Sequence, residues 1–331
     1  MDILVLGGTK FVGRHIVRTA IDRKHQVTLF NRGQTNPELF PEIEKLVGDR
    51  EGNLAPLRER IWDAVIDTCG YVPRIVRNSA RVLSNQTDLY VFISTISVFA
   101  SFEKEGLSES DPVGSLDDME IEDITGDTYG PLKALCETVI LDEIPGRALI
   151  IRPGLIVGPH DPTDRFTYWV RRCAQGGDIL APAPPDQNVQ FIDARDLATW
   201  TLDMIEAEQT GIFNADGPEI PLTLGELLQT CCDFSEEDTR LIWVDGTTLL
   251  NAGIEPWSQV PLWLPGLENA GAMAVDCTRA IKAGLRFRPL KITIGDTLSW
   301  DRGRDPSAPM KAGLEPSREA ELLELYRKQA Q

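Results

Sequence analysis

The stretch TYGPLKALCE sets Tyr129 and Lys133 four residues apart, the spacing that puts two side chains on one face of a helix. A phenol is a poor acid or base at its ordinary pKa of about 10. A neighbouring ammonium, together with an oxidised nicotinamide, favours the phenolate and brings the group into working range. Pro131 is expected in the first helical turn, with Thr128 as N-cap, where a missing N–H loses no partner. Upstream, YVFISTISVFA is an apolar run that ends in hydroxyls. Thr95 is placed to hydrogen-bond a substrate carbonyl or hydroxyl beside Tyr129, with Ser94 and Ser97 as rivals for that role. Strand hydroxyls often bond only to backbone, so spacing alone does not choose among them.

Such chemistry needs a hydride carrier, and the chain opens with a turn suited to one. MDILVLGGTKFVGRHIV reads as a strand, a glycine turn and a helix. Gly7 permits the tight turn and Gly13 lets the helix pack close to the strand. Gly7, Thr9, Lys10, Phe11, Val12 and Gly13 form the loop against which a pyrophosphate would lie at the helix N-terminus. Lys10 stands where the middle glycine of such turns is usual. The second strand ends LFNRG, with Asn31 in the place of a ribose-binding acid and Arg32 after it. Lys10, Arg14 and Arg32 with no carboxylate favour NADP(H), with NAD as the alternative. On that reading Lys10 is a phosphate ligand; the alternative is that Lys10 and Arg32 are solvated surface charges. In GDR, Asp49 is placed to accept from the adenine amino group, and Arg50 adjoins it; Thr68 and Cys69 follow the apolar run AVID.

The elements that must position these residues alternate. ILVLGG, QVTLFNR, AVIDTCG, LYVFISTIS and ALIIRPGLIVG read as strands, separated by helical segments such as VGRHIVRTAIDRK and IVRNSARVLSN. Continuous apolar strands between amphipathic helices imply a parallel sheet covered on both faces, an α/β doubly wound fold of Rossmann type. Residues 1–158, with 189–215 returning, form the expected nucleotide-binding domain. Residues 159–188 and 216–331, rich in Pro, Gly and Trp, form a smaller, irregular substrate domain. A terminal helix is expected in PSREAELLELYRKQAQ with Ser317 as N-cap.

Bulk composition narrows the function. The formal net charge is −18 and 42% of residues are hydrophobic. The acidic balance speaks against nucleic acid as a general partner. No apolar run approaches the roughly 20 residues of a membrane helix. Three histidines without ligand spacing speak against zinc. Six cysteines without a regular framework read as reduced thiols of a cytoplasmic protein.

GGTKFVG, STISVFA, YGPLKALCE, RPGLIVGP and FIDARDLA together resemble the extended short-chain dehydrogenase/reductases, the NAD(P)-dependent epimerase/dehydratase group. The resemblance runs to about residue 215. It implies Thr95 as the catalytic hydroxyl, Tyr129 as acid/base, Lys133 as its partner, Pro153 lining the nicotinamide site, and a homodimer formed through the Tyr-bearing helix. Ile96 and Ser97 follow Thr95 where a 4,6-dehydratase carries a carboxylate pair, which ranks that chemistry last. The GGT-[KR]-F-x-G turn also resembles an atypical branch that includes chloroplast stem-loop RNA-binding proteins. A non-catalytic dinucleotide-binding scaffold is therefore the alternative to an enzyme. Substrates of the family are often nucleotide sugars. GPHDPTDRFTYWVRR offers His160, Arg165 and Trp169, with Ser97, to a sugar-like or small polar substrate. The segment EPWSQVPLWLP is either a pocket wall or a hydrophobic clamp.

Overall fold

The computed structural model describes residues 1–331 apart from 59, 306, 330 and 331 and the side chain of 329. The chain forms two compact units. The first comprises Met1–Ile156, Ala194–Asp216 and Val275–Arg286; the second comprises Val157–Asp193, Gly217–Ala274 and Phe287–Gln331.

The first unit is built on a seven-stranded sheet. Its strands are β1 (Asp2–Leu6), β2 (Gln26–Asn31), β3 (Glu44–Val47), β4 (Trp62–Asp67), β5 (Thr87–Ile93), β6 (Ala148–Pro153) and β7 (Gly211–Ala215). They pair in the order β7-β6-β5-β4-β1-β2-β3 and every pairing is parallel. The strand order reverses between β1 and β4, which is where ligands bind in doubly wound sheets. The central strands are apolar at nearly every position because helices cover both faces; Ile3, Leu4, Val5 and Leu6 are all fully buried. The α/β doubly wound expectation holds.

Two strands were not legible. β3, EKLV, is a short, half-exposed edge strand with two charged residues, so it carries no apolar run. β7, GIFNA, falls in the returning segment 189–215 but carries no strand signal of its own; it pairs in register with β6, Phe213 opposite Ile151.

Helices α1 (Phe11–Asp22), α2 (Pro73–Leu83), α3 (Gly126–Glu143) and, after α4 (Arg165–Ala174) of the second unit, α5 (Ala194–Glu206) complete the layers. Residues 275–286 also belong to the first unit, which moves the expected boundary. Asn214 is the reason: it is fully buried and its Nδ2 donates to the carbonyls of Leu107 and Asp276, both at 3.1 Å.

In the second unit the strands Gly177–Pro182 and Thr239–Val244 pair in parallel. The terminal helix, Pro316–Gln329, starts one residue before the expected cap, so Ser317 lies inside it; proline suits the first helical position. Glu319 secures that helix, accepting from Arg172 Nε at 2.6 Å and from the Leu180 amide at 3.0 Å.

Candidate active site

The glycine turn between β1 and α1 has the geometry its sequence demands. Gly7 and Gly8 hold φ of 97° and 84°, the left-handed region. A Cβ on Gly13 would lie 2.9 Å from Gly8 Cα and 3.0 Å from Thr68 Oγ1, so only glycine lets α1 sit on the turn. Thr68 is held in place by donating to the Leu6 carbonyl at 2.9 Å. Among the described residues no side chain caps α1, so the amides of its first turn have no side-chain partner at the cap. A backbone cradle of this kind fits a dinucleotide pyrophosphate. Lys10 occupies the N-cap position and its side chain is exposed; Thr9 is buried.

Asn31 does more than replace an acid. Its Nδ2 donates to the Gly7 carbonyl at 3.0 Å and its Oδ1 accepts from the Gly33 amide at 2.9 Å. Asn36, missed in the sequence, repeats the device by donating to the Thr9 carbonyl at 2.8 Å. Two asparagines thus fasten the loop after β2 to the glycine turn. Arg32 stands between Asn31 and Gly33 with its side chain exposed. Asp49 is exposed, its Oδ1 accepting from the Glu51 amide at 3.0 Å.

Arg50 is corrected. It is buried, and its guanidinium grips Asp67 with Nη1 and Nη2 at 2.8 and 2.6 Å and donates to Ser79 Oγ at 2.7 Å. A fork committed in this way is a structural ion pair and not a cofactor ligand. Cys69 is half-buried at the rim of the glycine turn, its Sγ 3.4 Å from where a Cβ on Gly7 would lie. Burial raises its thiol pKa. The other five cysteines are buried and none is in a disulfide.

The hydroxyls and the Tyr/Lys pair converge at the ends of β5 and β6. Thr95 Oγ1 accepts from the Ser97 amide and donates to Ser97 Oγ, both at 3.1 Å. Ser94 is drawn away: it donates to Glu137 Oε1 at 2.5 Å, in a buried cluster with Arg152. Of the rivals, Thr95 and Ser97 therefore remain with Tyr129. Tyr129 lies beside Tyr71, ring centroids 6.4 Å apart. Burial raises the Tyr129 phenol and the Thr95 hydroxyl opposes that rise. Lys133 is 2% exposed and donates from Nζ to the carbonyls of Gly70 and Ile93, each at 2.8 Å. Burial lowers its ammonium to about 8. The protein alone thus holds the phenol above its ordinary value, and Lys133 is not among the groups that act on it. Pro153 ends β6 and is buried.

Helix α3 begins earlier than expected. Thr125 is the N-cap and forms a reciprocal capping box with Thr128. Pro131 therefore sits inside the helix, where the Asp127 carbonyl gets no amide from it.

The substrate-side expectations fall in the second unit. Arg165 lies with its guanidinium carbon 5.1 Å above the Trp257 ring, and burial lowers its pKa. His160 has φ of 71° and packs edge-on against Trp300 at 5.4 Å. Trp169 is corrected: it is fully buried and its Nε1 donates to the Pro261 carbonyl at 2.7 Å, so it is a core residue. Its apolar helix face could not distinguish the two roles. The structure also adds Tyr71, Gly70 and Asp67 to the neighbourhood of Lys133; the one sequence signal was an acid at the end of the apolar run AVID.

No protein-family model matches this chain. It is 25% identical over 253 residues to the chloroplast stem-loop binding protein of 41 kDa b of Arabidopsis thaliana, covering 69% of this chain and 62% of that protein. It is 29% identical over 184 residues to the 2-alkyl-3-oxoalkanoate reductase of Stenotrophomonas maltophilia, covering 49% of this chain and 52% of that one. The chain thus spans less than two thirds of the length of these relatives. Among solved structures, UDP-glucuronic acid 4-epimerase from Bacillus cereus, in complex with UDP-glucuronic acid and NAD, superposes with a TM-score of 0.66 at 14% identity, covering 91% of this chain and 99% of that one. The chain shares its fold with this epimerase. Among the described residues no helix is long and apolar enough to cross a membrane, and no group of His, Cys, Asp or Glu could hold a metal ion.

Proposed function

We propose that this chain is an NAD(P)-dependent oxidoreductase or epimerase of the extended short-chain type. It acts on a carbinol or carbonyl carbon of a sugar-like or small polar substrate. What supports this reading is that Thr95 after β5, and Tyr129 and Lys133 on α3, belong to the unit that also bears the glycine turn. Thr95 and Ser97 orient the substrate oxygen. Tyr129 takes the hydroxyl proton as the carbinol is oxidised and returns it in reduction. Lys133 holds a positive charge below the phenol. A bound nicotinamide supplies the hydride acceptor or donor. Gly7, Thr9, Lys10, Phe11, Val12 and Gly13 hold its pyrophosphate; Lys10 and Arg32, with no acid at Asn31, select the 2′-phosphate of NADP(H). The chain works as a homodimer.

The test is calorimetric titration with NADP+ and NAD+, repeated on Lys10→Ala and Arg32→Ala. The expected result is NADP+ binding at least about tenfold tighter, a gap of about 1.4 kcal/mol that the variants erase. Failure of both dinucleotides to bind rejects the reading. Equal binding rejects the NADP preference and favours a hydride-recycling epimerase that uses NAD.

A second reading is a dinucleotide-binding scaffold, favoured by the resemblance to a stem-loop binding protein. The net charge of −18 weighs against RNA. Tyr129→Phe separates the two: an enzyme loses most of its rate with dinucleotide affinity kept, and a scaffold keeps its function.

A further inference from the structure

Arg50 and Lys133 stand on different elements and are tied through one carboxylate. Asp67, at the end of β4, is fully buried and accepts from both terminal nitrogens of Arg50, from Tyr90 Oη at 3.0 Å and from the Cys69 amide at 3.1 Å. The Cys69 bond fixes the turn that follows β4. In that turn the Gly70 carbonyl accepts from Lys133 Nζ at 2.8 Å. The turn has no slack: a Cβ on Gly70 would meet Phe92 at 2.6 Å, Val76 at 2.8 Å and Asp67 Oδ2 at 3.0 Å. Arg50 also reaches Ser79 on α2, and Ser79 donates to the Val76 carbonyl at 3.0 Å. The loop after β3, strands β4 and β5, and helix α2 are thereby locked around one carboxylate, that of Asp67.

We infer that Arg50 and Asp67 are positioning residues for Lys133, freezing the turn after β4 so that Gly70 and Ile93 hold the ammonium with two protons committed and one left for a ligand. The inference rests on the role proposed above for Lys133. A buried ion pair contributes little net stability over apolar residues of the same volume, so its value here lies in geometry. The pair also acts through charge. Asp67, Glu137 and Cys136 favour the ammonium, whereas burial and Arg50 disfavour it. The rings of Phe92 and Tyr71 lie 3.9 and 5.4 Å from Nζ.

The test uses the dinucleotide-free protein labelled with 13C-lysine, with the Lys133 Cε signal assigned by its loss in Lys133→Met. The wild-type signal should titrate near 8. Asp67→Asn should lower that midpoint by about one pH unit, because a favourable charge is lost. Arg50→Lys keeps the charge and folds more readily but loses the fork; it should move the midpoint up toward the solution value of about 10.4 and weaken NAD+ or NADP+ binding about tenfold. An unchanged or raised midpoint in Asp67→Asn overturns the inference. So does an Arg50→Lys protein with both midpoint and affinity of wild type, which also decides the matter if Asp67→Asn does not fold. Failure of the wild type to bind dinucleotide would instead reject the function proposed above, leaving the titration readable.

Discussion

A Cβ placed on Gly130 would sit 2.0 Å from the carbonyl oxygen of Ser97. The start of α3 therefore rests directly on the turn that closes β5, and this contact brings Tyr129 to Thr95. Gly130→Ala must push the two apart. The overpacking should cost about 1–3 kcal/mol in urea unfolding. Displacing Tyr129 by even a fraction of an ångström should lower turnover about 100-fold, with dinucleotide affinity kept. An alanine variant with full turnover would show that Thr95 and Tyr129 do not act together.

Asn31→Asp is the obvious substitution for converting such a site to NAD. The structure argues otherwise. Asn31 Nδ2 donates to the Gly7 carbonyl, and a carboxylate there would face that oxygen with no proton to offer. The loop after β2 would detach from the glycine turn. Affinity for NAD+ and NADP+ should fall together, each by about tenfold or more. Calorimetry on the variant checks this; a clean switch to NAD+ would show that the Asn31 bond is dispensable.

Glu137 and Arg152 form a buried pair joining α3 to β6, with Arg152 Nη2 donating at 2.6 Å. Glu137→Gln leaves the guanidinium buried without a counter-charge. Unfolding free energy should drop by about 3–5 kcal/mol. Urea unfolding checks this, and a loss below about 1 kcal/mol would show that the buried guanidinium finds another partner.

The sheet and the glycine turn were legible because both rest on local rules: unbroken apolar runs for buried parallel strands, and glycine where φ is positive or helix and turn touch. The placement of Thr95 just after β5, and of Tyr129 and Lys133 together on α3, was legible from the apolar run and the four-residue spacing. What stayed hidden depends on long-range partners. Nothing near Arg50 in the sequence announces Asp67, and a surface arginine and a buried forked one look alike until the carboxylate is in place. Trp169 failed for the same reason, its partner Pro261 being far along the chain. Pro131 was misplaced because two threonines three residues apart, Thr125 and Thr128, each suit an N-cap, and only the reciprocal bonds between them decide which does.

The lysine makes a pH prediction whose sign can be worked out. Burial depresses the Lys133 ammonium to about 8 in the folded protein from an ordinary value of about 10.4. Between those values the unfolded chain binds the extra proton and the folded protein does not. Stability therefore gains with rising pH across roughly 8–10, and the full penalty of the buried charge is present below 8. The buried thiols work the other way: Cys136, raised to about 12, stays protonated in the fold while the unfolded thiol ionises, so it favours folding less as pH rises. Tyr71, also raised to about 12, adds to this above pH 10. The net curve consequently hides the lysine, and a difference measurement isolates it. Lys133→Met removes the charge together with its bonds to the Gly70 and Ile93 carbonyls, which contribute a roughly pH-independent cost. Wild type minus Lys133→Met, in urea unfolding free energy, should rise by up to about 3 kcal/mol from pH 7 to 10. A flat difference would mean that Lys133 keeps its ordinary pKa in the fold, and the ammonium would then be as well solvated as one at the surface.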